Sequence, residues 1–259
     1  MTLWEAILLG MVQGATEFLP VSSSGHLVVT QELLGVSVPG ILFEVAVHLA
    51  TLVSILLVYR ERVSRLVAGC LRGDGEALHY TGLLVLATLP AAGLGLFFEE
   101  AISAFFDDPA VVGIAFLVTG AILFSSRAAL SRKPEATPTV ATALIMGFAQ
   151  AFALIPGISR SGSTVVAGLW GGVAGREAAA FSFLMAIPAI LGAAVLKLPE
   201  AEAAGLSAQA LVGGSVAAAV TGVLAIRSFL ALLKRQAFHS FAYYLWPAGF
   251  GFLLYLALR

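Results

Sequence analysis

Two short segments of this chain gather side chains that can do chemistry. The first is Glu17-Phe18-Leu19-Pro20-Val21-Ser22-Ser23-Ser24-Gly25-His26. The second is Ile155-Pro156-Gly157-Ile158-Ser159-Arg160-Ser161-Gly162-Ser163-Thr164. Arg160 offers a planar fork of donors that matches phosphate oxygens. Ser22, Ser23, Ser24, Ser159, Ser161, Ser163 and Thr164 add hydroxyls. Gly25 and Gly162 would let backbone N–H groups approach an anion, and helices starting there would aim their N-termini at it. Such a collection suits an oxyanion, and phosphate fits best. His26 fits the role of general base or nucleophile activator. Glu17 would orient His26 or hold a divalent cation against the phosphate charge. The attacking group is left open among Ser23, His26 and water. A purely structural Glu17–Arg160 ion pair is the competing reading, although buried pairs are weak stabilisers.

The elements that must position these groups follow from composition. Only 11% of the 259 residues are charged, 59% are hydrophobic, and the mean hydropathy is +0.98. So few charges cannot cover a soluble fold, which excludes an ordinary globular enzyme, a disordered chain and a disulfide scaffold. The single cysteine, Cys70, can form no internal disulfide. A net charge of −1 argues against nucleic-acid binding. The chain reads as an all-α polytopic membrane protein. No basic n-region precedes Arg60, so the apolar N-terminus reads as mature chain and not as a signal peptide.

Six stretches are apolar enough to cross a bilayer: Ile41 to Tyr59, Leu83 to Phe98, Val111 to Ser126, Phe181 to Leu198, Leu206 to Ile226 and Phe241 to Leu258. Two more regions, Leu3 to Leu34 and Thr139 to Trp170, are interrupted by the chemical segments. Pro removes a backbone donor and Gly loosens the helix, so both regions are expected to break. Non-helical backbone at membrane depth survives only inside protein or a water-filled cavity. Both are therefore expected to be re-entrant hairpins.

The hairpins are related in sequence. A shift of 137 places Gly10 on Gly147, Gln13 on Gln150, Ser22 on Ser159, Ser24 on Ser161, Gly25 on Gly162 and Val28 on Val165. A constant offset that also aligns the break indicates duplication. Three spans separate the hairpins, so the second enters from the opposite face. The result is an inverted repeat, with halves of about 1–137 and 138–259 and both breaks near the midplane. One side of the loops carries Arg60, Arg62, Arg65, Arg72, Arg127, Arg132, Lys133, Arg176, Arg227, Lys234 and Arg235; the other carries Lys197 and Arg259. The positive-inside rule makes the first side cytoplasmic. Both termini and the opening of the site are then expected on the outer side.

Weaker candidates surround this centre. Glu44 and His48 lie four apart on one helix face, which either lines the pocket or forms a mutually bonded pair. Arg176 and Glu177 read as a solvated turn. Gly171 to Gly175 reads as a flexible connection. Tyr243, Tyr244, Trp246 and Tyr255 read as interface anchors.

The segment Gln13 to His26 resembles the first signature of the undecaprenyl-diphosphate phosphatase family, also called bacitracin-resistance proteins. Pro156 to Thr164 resembles the second. Phe43-Glu44-Val45, Phe181 to Leu184 and Lys234-Arg235 resemble further family segments, so the likeness covers essentially the whole chain. It implies an integral inner-membrane enzyme of bacteria. Such an enzyme hydrolyses the polyprenyl carrier diphosphate to its monophosphate, recycling it for cell-wall (peptidoglycan) synthesis and conferring bacitracin resistance. It implies that Glu17, Ser23, His26 and Arg160 are central, that Ser159, Ser161 and Thr164 assist phosphate binding, and that Mg²⁺ or Ca²⁺ is required. Some members carry Glu where this chain has Gln13. The cation would then rest on Glu17 alone, or on Glu17 helped by Glu44. The expected partners are the diphosphate lipid and membrane lipid, without nucleic acid; a homodimer is compatible. A second lipid-phosphatase family shares Ser-Gly-His and Ser-Arg elements but needs a His soon after the latter. Here the next is His239, which excludes it. The rival class is a polyprenyl-phosphate transporter or flippase, which the inverted-repeat architecture also serves.

Overall fold

Proline and glycine decide where the apolar segments stop. The computed structural model describes residues 1–34, 40–197 and 206–259. Helix α1, Leu3–Phe18, ends where Leu19, held extended before Pro20, leaves the helical region. Helix α2, Ser23–Leu34, resumes after Ser22, whose φ is +70°. The second interrupted region repeats the pattern. Helix α8, Val140–Phe152, stops before Pro156 and Gly157 (φ +91°), and α9, Arg160–Trp170, begins behind a Ser159 cap.

Between and after these hairpins lie α3 (Gly40–Val58), α4 (Arg60–Arg72), α5 (Gly75–Phe97), the short α6 (Glu99–Ala104), α7 (Pro109–Ser131), α10 (Gly175–Lys197), α11 (Ala208–Lys234) and α12 (Ala242–Leu258), the last preceded by a 3₁₀ turn at Phe238–Phe241. Helices α5, α7, α10, α11 and the 238–258 stretch are each long and apolar enough to span a bilayer. Helix α3 passes the same test only together with α4, the two meeting at a bend of 84°. Helix α4 buries nothing and carries Arg60, Arg62, Arg65 and Arg72, as suits a helix lying in the interface. Five of the six expected spans are single long apolar helices, and the first, Ile41 to Tyr59, falls on α3 of the bent pair. The second and third are longer than their apolar cores suggest, and Leu198, the expected end of the fourth, lies outside the described residues.

The two hairpins open onto opposite faces. The ends of α7 and α11 and the start of α10 converge at one basic face, where Leu130, Arg176 and Leu233 line one cavity. There the second hairpin closes on itself: the Ala136 N–H bonds Gly172 O at 3.0 Å, and the Ala174 N–H bonds Ala136 O at 2.8 Å. The connection through Gly171 to Gly175 is thus pinned at its centre. At the other face Lys197, ending α10, pairs with Glu99, and Arg259 pairs with Glu32 near the end of α2. The first hairpin therefore exits there. Glu177 is no solvated turn residue: it lies in α10 and takes a two-pronged bond from Arg62 at 2.6 and 3.1 Å, tying α4 to the bundle.

Packing rests on close backbone approach. Helix α1 lies along α11, and α8 lies along α5. A Cβ on Gly10 would sit 2.1 Å from the Gly214 carbonyl oxygen, and one on Gly147 would sit 2.5 Å from that of Ala87. Small residues let membrane helices pack this way without a hydrophobic drive. A column of edge-to-face rings, Phe18–Phe183–Phe229–Phe238, with centroids 5.0 to 5.6 Å apart, fills the interior below the first break.

Gly10→Ala is expected to destabilise the detergent-solubilised protein by about 1–3 kcal/mol, because α1 and α11 must separate. Gly82→Ala, which meets nothing within 4 Å, should leave the thermal unfolding midpoint within a degree or so. Equal effects in the two variants would contradict the packing described.

Candidate active site

The two breaks meet in the bundle interior. Gly25 lies so close to the second break that a Cβ there would sit 2.9 Å from the Gly157 Cα and 2.4 Å from the Phe116 ring. Ser161 Oγ donates to the Leu19 carbonyl at 3.3 Å. Thr119 of α7 ties the second break down: its hydroxyl donates to Gly157 O at 3.0 Å and accepts from the Ser159 N–H at 3.2 Å.

Glu17 is the hub. Its side chain is 8% exposed, and its Oε1 accepts from Arg160 Nη2 at 2.6 Å. Its Oε2 accepts from Ser23 Oγ at 2.6 Å and from Gln13 Nε2 at 3.1 Å. His48 Nε2 stands 3.9 Å from the same oxygen. Arg160 is also held from behind, with Nη1 donating to the Ser182 carbonyl at 3.4 Å. Thr164 donates to the Arg160 carbonyl at 2.7 Å and shares a 2.6 Å hydrogen bond with Ser182 Oγ. Glu17, Ser23 and Arg160 thus form one connected group across 143 residues of sequence.

His26 takes another direction. Its Nδ1–H donates to the Ser22 carbonyl at 2.8 Å, and its Nε2 lies 2.7 Å from the Tyr244 hydroxyl, with the rings stacked. With Nδ1 protonated, the neutral ring accepts at Nε2 from Tyr244. The expectation that Glu17 orients His26 is not met, because the Glu17 oxygens face Ser23, Gln13 and Arg160. His26 instead holds the carbonyl of Ser22, the residue in left-handed conformation. Tyr244 is therefore part of this centre and not a simple interface anchor. Trp246 likewise turns inward, donating to Leu117 O at 3.2 Å over Gly120.

The anion-binding expectations divide. Ser22 Oγ accepts from the Gly25 N–H at 3.3 Å, and Ser159 Oγ accepts from the Gly162 N–H at 3.1 Å. Those two N–H groups are already used as caps, and Gly25 is needed for close packing. Ser159, Ser161 and Thr164 are buried and internally bonded. Ser23, Ser24, His26 and Arg160 keep part of their surface open.

A cleft of about 350 Å³ between α3 and α10 adjoins this centre at His48, whose Nε2 stands 3.9 Å from Glu17, and is lined by Val45, Ile190, Ala193 and Ala194, with Glu44, His48 and Lys197 as its polar groups. The Glu44–His48 face therefore lines a cavity. The two side chains are not mutually bonded: His48 Nδ1–H donates to the Glu44 backbone carbonyl at 2.8 Å, and the Glu44 side chain is exposed. No cluster of three His, Cys, Asp or Glu exists among the described residues. The oxygens suited to a hard cation are the Glu17 carboxylate and Gln13 Oε1, which is buried and takes no hydrogen bond. One carboxylate, a neutral carbonyl and substrate phosphate oxygens are an ordinary donor set for Mg²⁺.

Residues 6–251 match the family model described as bacitracin resistance protein BacA. This chain belongs to that family. Among its relatives, the undecaprenyl-diphosphatase of Syntrophotalea carbinolica is 41% identical, with 96% of this chain and 97% of that protein covered. The undecaprenyl-diphosphatase of Alkaliphilus metalliredigens is 40% identical over the same shares. That of Rhizorhabdus wittichii is 37% identical, covering 100% of this chain and 99% of its own length.

Sequence reasoning named both breaks of this family member but not Thr119; it named Ser182 only within the Phe181 to Leu184 segment and Tyr244 only as an interface anchor. Each is a polar or aromatic residue inside an apolar span, and only their contacts with the breaks set them apart. Thr119→Val keeps the shape but strands the Ser159 N–H and the Gly157 carbonyl. A loss of about 1–3 kcal/mol per stranded group is expected, with a fall in the thermal midpoint and in activity together. Unchanged stability would show that Thr119 does not hold the break.

Proposed function

We propose that this BacA-family protein is an undecaprenyl-diphosphate phosphatase of the bacterial inner membrane, releasing inorganic phosphate and the monophosphate carrier lipid. The observation that supports it best is the Ser23 hydroxyl held at 2.6 Å on Glu17, beside a guanidinium on the same carboxylate. A carboxylate that accepts the hydroxyl proton and a cation that holds the phosphoryl charge are what phosphoryl transfer needs.

In this mechanism Ser23 Oγ attacks the terminal phosphorus and passes its proton to Glu17. The bond from that phosphorus to the bridging oxygen breaks, and the lipid leaves as its monophosphate. Water then cleaves the serine phosphoester and releases inorganic phosphate. Arg160 holds the phosphoryl oxygens throughout, and Ser24 adds a hydroxyl. A bound Mg²⁺ or Ca²⁺ supplies further neutralisation of the diphosphate, with Glu17 and Gln13 as the residues that would hold it. His26 fixes the Ser22 carbonyl and so the position of Ser23. The cleft between α3 and α10 is the approach for the lipid.

The basic face carrying α4, Lys133 and Lys234 is cytoplasmic in this reading, and the termini are periplasmic. The halves 1–137 and 138–259 are an inverted repeat, supported by the constant shift, the opposed hairpins, and the matched pairings of α1 with α11 and α8 with α5. A transporter would need Arg160 only for binding and has no use for a serine placed on a carboxylate.

The test is phosphate release from undecaprenyl diphosphate by purified protein. Ser23→Ala, Arg160→Ala and Arg160→Lys should each keep less than about a tenth of wild-type turnover, since an arginine in this role is worth roughly 10³–10⁵ in rate. Lipid binding without release by the folded wild type would favour the transporter. Chelation should stop the reaction and added Mg²⁺ or Ca²⁺ restore it; full turnover in excess chelator would remove the cation from the scheme.

A further inference from the structure

The basic face holds a cavity that hydrolysis does not use. It measures about 750 Å³ and is lined by Lys133, Arg176 and Lys234, with Leu130, Leu230 and Leu233 as apolar wall. The three cations come from three separate elements: the turn after α7, the first turn of α10 and the end of α11. Those are the ends of three spans, so the cavity stands at headgroup depth. Among the described residues none of the three makes an ion pair, whereas Arg62, Arg160, Lys197 and Arg259 each have a carboxylate. One acid, Glu135, shares the cavity.

The local backbone reinforces the placement. Lys133 (φ +52°) and Gln236 (φ +55°) follow the C-terminal ends of α7 and α11 in left-handed conformation, and both line the cavity. Their N–H groups bond back to Leu130 O and Leu233 O at 3.0 Å, which terminates each helix. Glycine adopts this conformation at lower cost. A lysine and a glutamine stand there instead, and each adds a polar side chain at the rim.

We propose that this cavity binds the phosphate headgroup of an anionic bilayer phospholipid. Basic pockets between spans at the cytoplasmic surface recognise anionic lipid heads. The leucine wall suits the upper acyl chains, and a free phosphate ion has no use for it. The cavity is wide and ringed by long flexible cations, not by a tight set of backbone donors.

The experiment is lipid titration of the full-length protein in neutral detergent, read by native mass spectrometry and by thermal unfolding. Wild type should bind phosphatidylglycerol at least ten times more tightly than phosphatidylcholine. Each of Lys133→Gln, Arg176→Gln and Lys234→Gln should lower that preference by about fivefold, the effect of one interfacial charge. Glu135→Gln should raise it. Neutralising Arg60, Arg65 and Arg72 on α4 together removes three charges from the same face, against one in each cavity variant, but should leave the preference within twofold. Equal losses from the α4 variant and the cavity variants would mean diffuse surface charge and overturn the site. So would an absent preference in wild type, or the same stabilisation by inorganic phosphate alone.

Discussion

The ion pair between Glu17 and Arg160 is the contact on which the rest of this architecture depends. Each charge alone would be costly inside a membrane protein. Together, at 2.6 Å and with Ser23, Gln13 and the Ser182 carbonyl completing their bonds, they become tolerable. The pair can form only if both hairpins turn back at the same depth. That requirement explains the local details around it. Gly25 must lack a side chain so that the breaks can touch, and Gly157 must reach φ +91° so that the second break turns. Thr119 must bridge Gly157 and Ser159 because backbone leaving a helix here has no water to bond. A buried pair of this kind contributes little net stability. In the proposed mechanism its value lies in presenting a guanidinium and a carboxylate, already desolvated, to a phosphate that arrives with its own charge.

Much of this was legible from the residue order. Pro20 and Pro156 mark where backbone donors vanish, and the shift of 137 shows that the interruptions belong together. The six spans follow from hydropathy, because a bilayer imposes one length on all of them. What was not legible depends on rotation about helix axes. Nothing in the order of residues says that Tyr244 faces His26 or that Glu177 faces Arg62. Nor does it say that the Gly25 and Gly162 N–H groups are spent on the serines three residues before them. Helix α4 is not legible either, because an interfacial helix is short and polar, and so lacks the apolar run by which spans are recognised. The direction of Glu17 is hidden for a related reason. His26 is nearer the break than Gln13 is, yet one helical turn before Glu17 Gln13 shares its face, whereas His26 lies beyond a left-handed residue that turns it toward α12.

The same shift explains why two similar hairpins make one asymmetric site. It lays Ser23 on Arg160, Glu17 on Leu154 and His26 on Ser163. The positions that match, Gly10 with Gly147 and Gln13 with Gln150, include the glycines where each arm touches its neighbouring helix. The positions that differ hold the groups of the proposed chemistry. In that mechanism the nucleophile stands on one break and the cation on the other, a pair that neither break could make with its own copy. Two arginines at these positions would repel, and two serines would leave the phosphoryl charge unmatched. The cost of this divergence is visible on the second hairpin. Gln13 gives its amide N–H to Glu17, whereas both side-chain amide atoms of Gln150 are buried without a partner. Ser163, opposite His26 in the repeat, has an unpartnered buried hydroxyl as well. The acid, the hydroxyl and the histidine all stand on the first hairpin. The second keeps the fold of the break and contributes one positive charge.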